Sequence, residues 1–105
     1  MTTWLRAYWD VEDVTFLWEV GDGGWVTRSV ELIGPERRVQ TAAVLDEVLH
    51  ARDTGGIAAV QAYEARYGVV PEKRIDDWDS DFPHEVISQS DFESVWAEAR
   101  QALES

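Results

Sequence analysis

Val14 to Ile33, VTFLWEVGDGGWVTRSVELI, is the stretch that most limits what this chain can become. Val14, Phe16, Trp18 and Val20 alternate with Thr15, Leu17 and Glu19, the period of a β-strand. Gly21-Asp22-Gly23-Gly24 supplies turn chemistry. Val26, Arg28, Val30 and Leu32 then alternate with Trp25, Thr27, Ser29 and Glu31. The stretch reads as a β-hairpin at the centre of a sheet. If Val20 faced Trp25, the first strand's apolar set would share a side with Thr27 and Ser29. If Val20 faces Gly24, then Phe16, Trp18 and Val20 join Val26, Val30 and Leu32. A one-residue slip moves every side chain to the other face, so burial of a single face selects the second pairing. That pairing implies a three-residue connection with a glycine bulge. It sets Arg28 on the apolar side opposite Phe16, with its stem packed and its head reaching water or a carboxylate. Leu17, Glu19, Trp25 and Thr27 would form the outer side.

The flanking sequence extends this sheet. Thr3 to Trp9 reads as a first strand, joined to the hairpin by an acidic turn at Asp10 to Asp13. Gly34-Pro35 is a break, and Arg37 to Thr41 reads as a fourth, edge strand whose arginines discourage edge pairing. From Ala42 the period becomes helical, with Thr41 as N-cap and Leu45, Val48, Leu49 and Arg52 as a stripe. Asp53-Thr54-Gly55-Gly56 ends that helix. A second follows, with Ile57, Val60, Tyr63 and Tyr67 at helical spacing and a stop at Gly68. The pair reads as an αα-hairpin on the sheet. Pro71 to Pro83 is irregular and acidic, and Glu85-Val86-Ile87 reads as a short extended piece. Ser90-Asp91-Phe92-Glu93 reads as a capping box. It opens a helix striped by Phe92, Val95, Trp96, Ala99 and Leu103. Strands precede helices, so the expected class is α+β. The expectation is an antiparallel sheet of three to four strands, centred on the hairpin at 14–33, with about three helices on one face. Residues 1–105 should form a single domain.

Charge narrows the function classes. The chain has 21 acidic and 9 basic residues, a net charge of −12. That disfavours direct binding to nucleic acid or to an anionic membrane, which needs Lys and Arg. Residues 70–105 hold ten of the acids and three of the bases. No cysteine is present, so disulfides, thiol nucleophiles and zinc–thiolate sites are excluded. No signal-like or membrane-spanning run appears, and a cytoplasmic address is the expectation.

The search for catalytic or metal chemistry returns little. Asp77, Asp79 and Asp81 begin like a calcium loop, but Phe82 stands where glycine is required and Ser88 where glutamate is required. His50 lies off its helix stripe, and His84-Glu85 matches no metalloprotease spacing. There is no G-x-S-x-G elbow. Gly21 to Gly24 leads into a strand, not into the helix that a phosphate loop requires. No catalytic, cofactor-binding or metal-ligating set is therefore assigned, and no cofactor is expected. The tryptophans are more informative. Trp18 and Trp96 lie on apolar stripes, Trp25 stands near the hairpin turn, and Trp78 sits within Asp76-Asp77-Trp78-Asp79. An aromatic ringed by acids is suited to a basic surface.

Two stretches carry a resemblance. Trp25 to Glu31, WVTRSVE, together with Val86-Ile87-Ser88 and Phe92-Glu93-Ser94-Val95-Trp96, is similar to small bacterial proteins of an uncharacterised domain family. There a strand with an arginine before V-E precedes a final F-x-x-V-W helix. The small, acidic character of such proteins resembles that of immunity proteins, which neutralise secreted bacterial toxins.

The leading expectation is a non-enzymatic, immunity- or antitoxin-like inhibitor that occupies a basic surface of a toxin- or nuclease-like protein. Asp76, Asp77, Trp78, Asp79 and Asp81 would form its main contact, with Trp25 and Glu19 as a second patch. A DNA-mimic inhibitor is a special case. The alternative is an enzyme or small-molecule sensor with a pocket between sheet and helices, using Arg28, His84 and nearby acids. A third reading is a scaffold that homodimerises through the outer hairpin side, so the chain is expected as monomer or homodimer.

Overall fold

The structure is a computed structural model that describes residues 2–71 and 84–104. It is an α+β fold built on a five-stranded antiparallel sheet with two helices. The strands are β1 (Thr3–Trp9), β2 (Val14–Val20), β3 (Val26–Ile33), β4 (Arg38–Val44) and β5 (His84–Ile87), in spatial order β4-β3-β2-β1-β5. The helices are α1 (Leu45–Tyr67) and α2 (Gln89–Glu104).

β1 and the central hairpin form as their alternation predicts. The sheet is larger than the expected three or four strands because the chain returns after α1 and adds β5 beside β1, pairing Leu5 with Val86 and Ala7 with His84. β4 also runs further than expected, to Val44, and takes Thr41 to Ala43 away from the helix.

Ala42 and Ala43 show why. Both are fully buried, and they belong to opposite core clusters. One cluster joins Leu5, Ala7, Trp18, Val20, Val26 and Ala43 to Val70, with Leu45, Val48, Tyr63 and Tyr67 of α1 against it. The other joins Leu17, Val30, Leu32 and Ala42 to Phe92 and Ala99 of α2, with Val95, Trp96 and Leu103 alongside. The helices thus cover both faces of the sheet, not one. Thr41, the expected N-cap, is a buried strand residue, and Val44 takes the cap position with no side-chain cap bond.

Burial on both faces also corrects the hairpin register. Gly21 N–H donates to the Trp25 carbonyl and Gly24 N–H to the Gly21 carbonyl. This is a three-residue connection, Asp22 to Gly24, with Gly24 at φ +83 as the bulge residue. Val20 therefore pairs with Val26, and both face the first cluster. One step later the register shifts, and Glu19 pairs with Arg28, Trp18 with Ser29, Leu17 with Val30 and Phe16 with Glu31. Thr27 is the extra residue. Beyond it the side chains fall on the faces opposite to those expected. Leu17 is only 3% exposed under α2, and Arg28 lies across from Glu19 instead of Phe16. Single-face burial was the wrong selector, because each face has its own helix.

The two helices differ in how they are built. α1 contains one non-helical residue, Gly56, where two helices separated by a four-residue link were expected. Tyr63 nevertheless hydrogen-bonds Glu47. Sixteen residues of straight helix would hold them about 24 Å apart, so the chain doubles back at Gly56. α1 ends at Gly68, φ +86, whose N–H donates to the Glu64 carbonyl. A Cβ on Gly68 would lie 2.3 Å from Thr41 Oγ1, so both the cap geometry and the packing require glycine there. α2 carries the predicted apolar stripe, but its cap is Ser88, whose Oγ accepts from Asp91 N–H at 3.0 Å, in place of Ser90. No described helix is long and apolar enough to cross a membrane.

Candidate functional site

The bulge at Thr27 turns Thr27 and Arg28 toward the same glutamate. Thr27 Oγ1 donates to Glu19 Oε1 at 2.8 Å, Trp4 Nε1 donates to Glu19 Oε2 at 3.1 Å, and Arg28 Nη2 meets the same oxygen at 2.5 Å. Arg28 also pairs with Glu93 of α2 and stands over the rings of Phe92, at 4.8 Å, and Trp96, at 5.2 Å. The Arg28 and Glu19 side chains keep only 16% and 18% of their exposure. Desolvation pushes the Glu19 carboxyl up, but the bonds from Arg28, Thr27 and Trp4 outweigh it and hold it below the usual range. Desolvation likewise opposes the Arg28 charge, and Glu19 and Glu93 more than restore it. This cluster fastens α2 to the sheet.

A second cluster closes the β4 edge. Val44 N–H donates to Tyr63 Oη at 2.9 Å, and Arg100 Nε donates to the Ala42 carbonyl at 2.7 Å. Both are outward-pointing groups of an edge strand, which would otherwise invite another strand. Arg100 also contacts Glu47 and Tyr63 Oη and lies 4.0 Å from the centre of the Tyr67 ring. The Arg100 bond holds Glu47 below its ordinary pKa. Burial, reinforced by the Glu47 bond, pushes Tyr63 up to about 12.

These clusters determine the outward charge. Among the described residues, Arg6 pairs with Glu85, Arg28 with Glu19 and Glu93, Arg52 with Asp53, and Arg100 with Glu47 and Glu104. Four of the chain's nine basic residues are thus ion-paired within the chain, two of them, Arg28 and Arg100, largely out of solvent. Asp10, Glu12, Glu36, Asp46, Asp91 and Glu98 are exposed.

The sequence-derived contact residues fare unequally. Asp76, Asp77, Trp78, Asp79 and Asp81 lie outside the described residues. Trp25 is 48% exposed at the hairpin tip. Glu19 is turned inward to Arg28, and the covered Leu17 removes the outer hairpin side as a free surface. The pocket imagined around Arg28 and His84 does not form as one site. His84 lines a cleft of about 570 Å³ at the far end of the sheet with Arg6, Tyr8, Asp13, Arg37 and Glu85, and Arg28 is not part of it. No three metal-ligating side chains converge among the described residues.

One exposed feature lies at that same end. The β1–β2 turn shows Tyr8 at 48%, Trp9 at 40% and Val11 at 77% exposure, interleaved with exposed Asp10 and Glu12. The signal was in the sequence, where Val11 stands alone among acids at a turn apex. Comparison of the chain with protein families, curated proteins and solved structures gave no match.

Proposed function

We propose that this chain is a non-enzymatic binding domain that occupies a basic surface of a partner protein, in the manner of an immunity-type inhibitor. The observation that carries the reading is the disposition of charge. A chain of net charge −12 sets two of its nine basic residues, Arg28 and Arg100, in part-buried ion pairs, while Asp10, Glu12, Glu36, Asp46, Asp91 and Glu98 face solvent. Such a surface attracts a cationic partner at long range and raises the association rate. Exposed aromatics then supply the short-range contact, because Trp and Tyr bury large area with few torsions to immobilise. Trp25 serves as one such contact, and Asp76, Asp77, Trp78, Asp79 and Asp81, which lie outside the described residues, are proposed as further contacts on their sequence alone. Glu19 contributes from within, by holding Arg28 and hence the start of α2.

The test is an association-rate measurement against the purified partner over a range of ionic strength. The reading expects a steep fall in on-rate with added salt and a much smaller change in off-rate. An on-rate indifferent to salt would remove the steering and with it the reading. A basic toxin or nuclease encoded beside this chain is the partner class expected.

A further inference from the structure

We infer that the β1–β2 turn, Tyr8 to Asp13, is the anchor of this binding domain, and that it seats in an apolar pocket rimmed by Lys and Arg on the partner protein. The inference rests on the basic-partner reading above and specifies the surface that makes the contact.

Strand alternation sends Tyr8 and Trp9 to opposite faces of the sheet, and Val11 lies between them in the turn. The three side chains therefore point in different directions around the end of the sheet. Tyr8 lines the adjoining cleft with Arg6, Asp13 and Arg37, so the exposed apolar part of the turn outside that cleft is Trp9 and Val11, and its natural complement is a concave site. Val11, at 77%, is the most exposed of the large hydrophobic residues described.

The turn is also held in one shape. Tyr8 Oη donates to Asp13 Oδ1 at 2.8 Å, and Gly34 N–H donates to the Asp13 carbonyl at 2.9 Å. Asp13 sits at φ +53, in the left-handed region that Asp enters more readily than most L residues and that suits a tight turn. A loop fixed before binding loses less entropy on docking than a mobile one. Exposed apolar side chains in a pinned turn are the pattern of a recognition loop.

Charge identifies the occupant. Asp10 and Glu12 flank Val11 at the apex and are exposed, while Arg6 and Arg37 line the cleft beside Tyr8, so the part of the partner's rim that meets the apex is cationic. A second copy of the chain, also at −12, would bring like charges together at that rim. A phosphate backbone is excluded by the same sign.

The test uses the tagged full-length chain as bait in lysate from its native host, followed by affinity measurements on the purified captured protein. Val11→Asp and Trp9→Ala are compared with Ile57→Ala, each checked by circular dichroism. Val11→Asp changes a side chain that packs in neither core cluster, so it keeps the test open if Trp9→Ala misfolds. The expected result is a captured protein of net positive charge whose affinity falls roughly 30-fold with Val11→Asp, the scale of a hot-spot loss. Ile57→Ala, at an exposed position assigned to no contact, should change it less than about threefold. A basic protein that binds both turn variants like wild type overturns the anchor and leaves the basic-partner reading standing. A captured protein without net positive charge, or no capture by wild type, overturns both. A wild-type dimer that Val11→Asp dissociates overturns the inference in favour of self-association.

Discussion

Replacing Arg28 by Met tests the interior of this fold most directly. Met keeps much of the apolar stem but removes the guanidinium from Glu19, Glu93, Phe92 and Trp96. Glu19 would remain a carboxylate only 18% exposed, with Thr27 and Trp4 as its remaining donors. Removing one partner of a well-buried ion pair costs about 3 to 5 kcal/mol. The surviving donors lower that toward about 2 kcal/mol, since each hydrogen bond to a charged group offsets part of the desolvation. Loss of the two ring contacts adds about 0.5 to 1 kcal/mol. The expected cost is about 3 kcal/mol, a large part of the about 5 to 15 kcal/mol that holds a small domain together. Urea unfolding followed by tryptophan fluorescence measures it. The double change Glu19→Leu with Arg28→Met should recover most of the loss, because a buried apolar pair replaces a buried ion pair at little cost. The pH dependence is also signed. The Glu19 pKa is lowered in the folded state, so its contribution is present above the unfolded carboxyl pKa and disappears as pH falls through the folded value. The difference between wild type and Arg28→Met should therefore shrink in acid. A cost below about 1 kcal/mol, or a double variant as unstable as the sum of the singles, would refute the coupling.

Other outcomes follow from named contacts. Tyr63→Phe should cost about 1 to 2 kcal/mol by leaving Val44 N–H and Arg100 without the hydroxyl. The Tyr63 pKa is raised to about 12, so wild type should lose stability as pH rises from the unfolded tyrosine value through about 12. Tyr63→Phe should lack that component, and alkaline unfolding curves compare the two. Gly68→Ala should cost about 2 to 4 kcal/mol, from a Cβ placed against Thr41 and a strained positive φ, as read by thermal unfolding. Arg100→Ala frees the Ala42 carbonyl at the β4 edge, and concentration-dependent association on size exclusion is the expected signature.

Much of the architecture was legible because its signals are local. The β1 alternation, the hairpin with its glycines, the Gly68 stop and the α2 stripe each need only a few neighbouring residues to be read. β5 was legible as an extended piece but not as a strand of the main sheet, since its partner β1 lies about eighty residues earlier. The Glu19–Arg28 pair was hidden by one inserted residue, Thr27, which no composition or period reveals. Tyr8 and Trp9 read as the end of a strand and Asp10 to Asp13 as an acidic turn, and neither reading places the aromatics in solvent, because whether an aromatic folds back or stands out depends on what packs beside it.

By itself the sequence determined that this is a hairpin-centred α+β chain with a strongly negative surface and one strongly amphipathic C-terminal helix. Tertiary structure alone decided which face each strand residue occupies, which carboxylates Arg28 and Arg100 neutralise, and which aromatics are left in solvent. The physical reason is symmetry of pattern. A period of two separates two sides, but when both are apolar it cannot say which helix covers which, and only packing of distant segments resolves it.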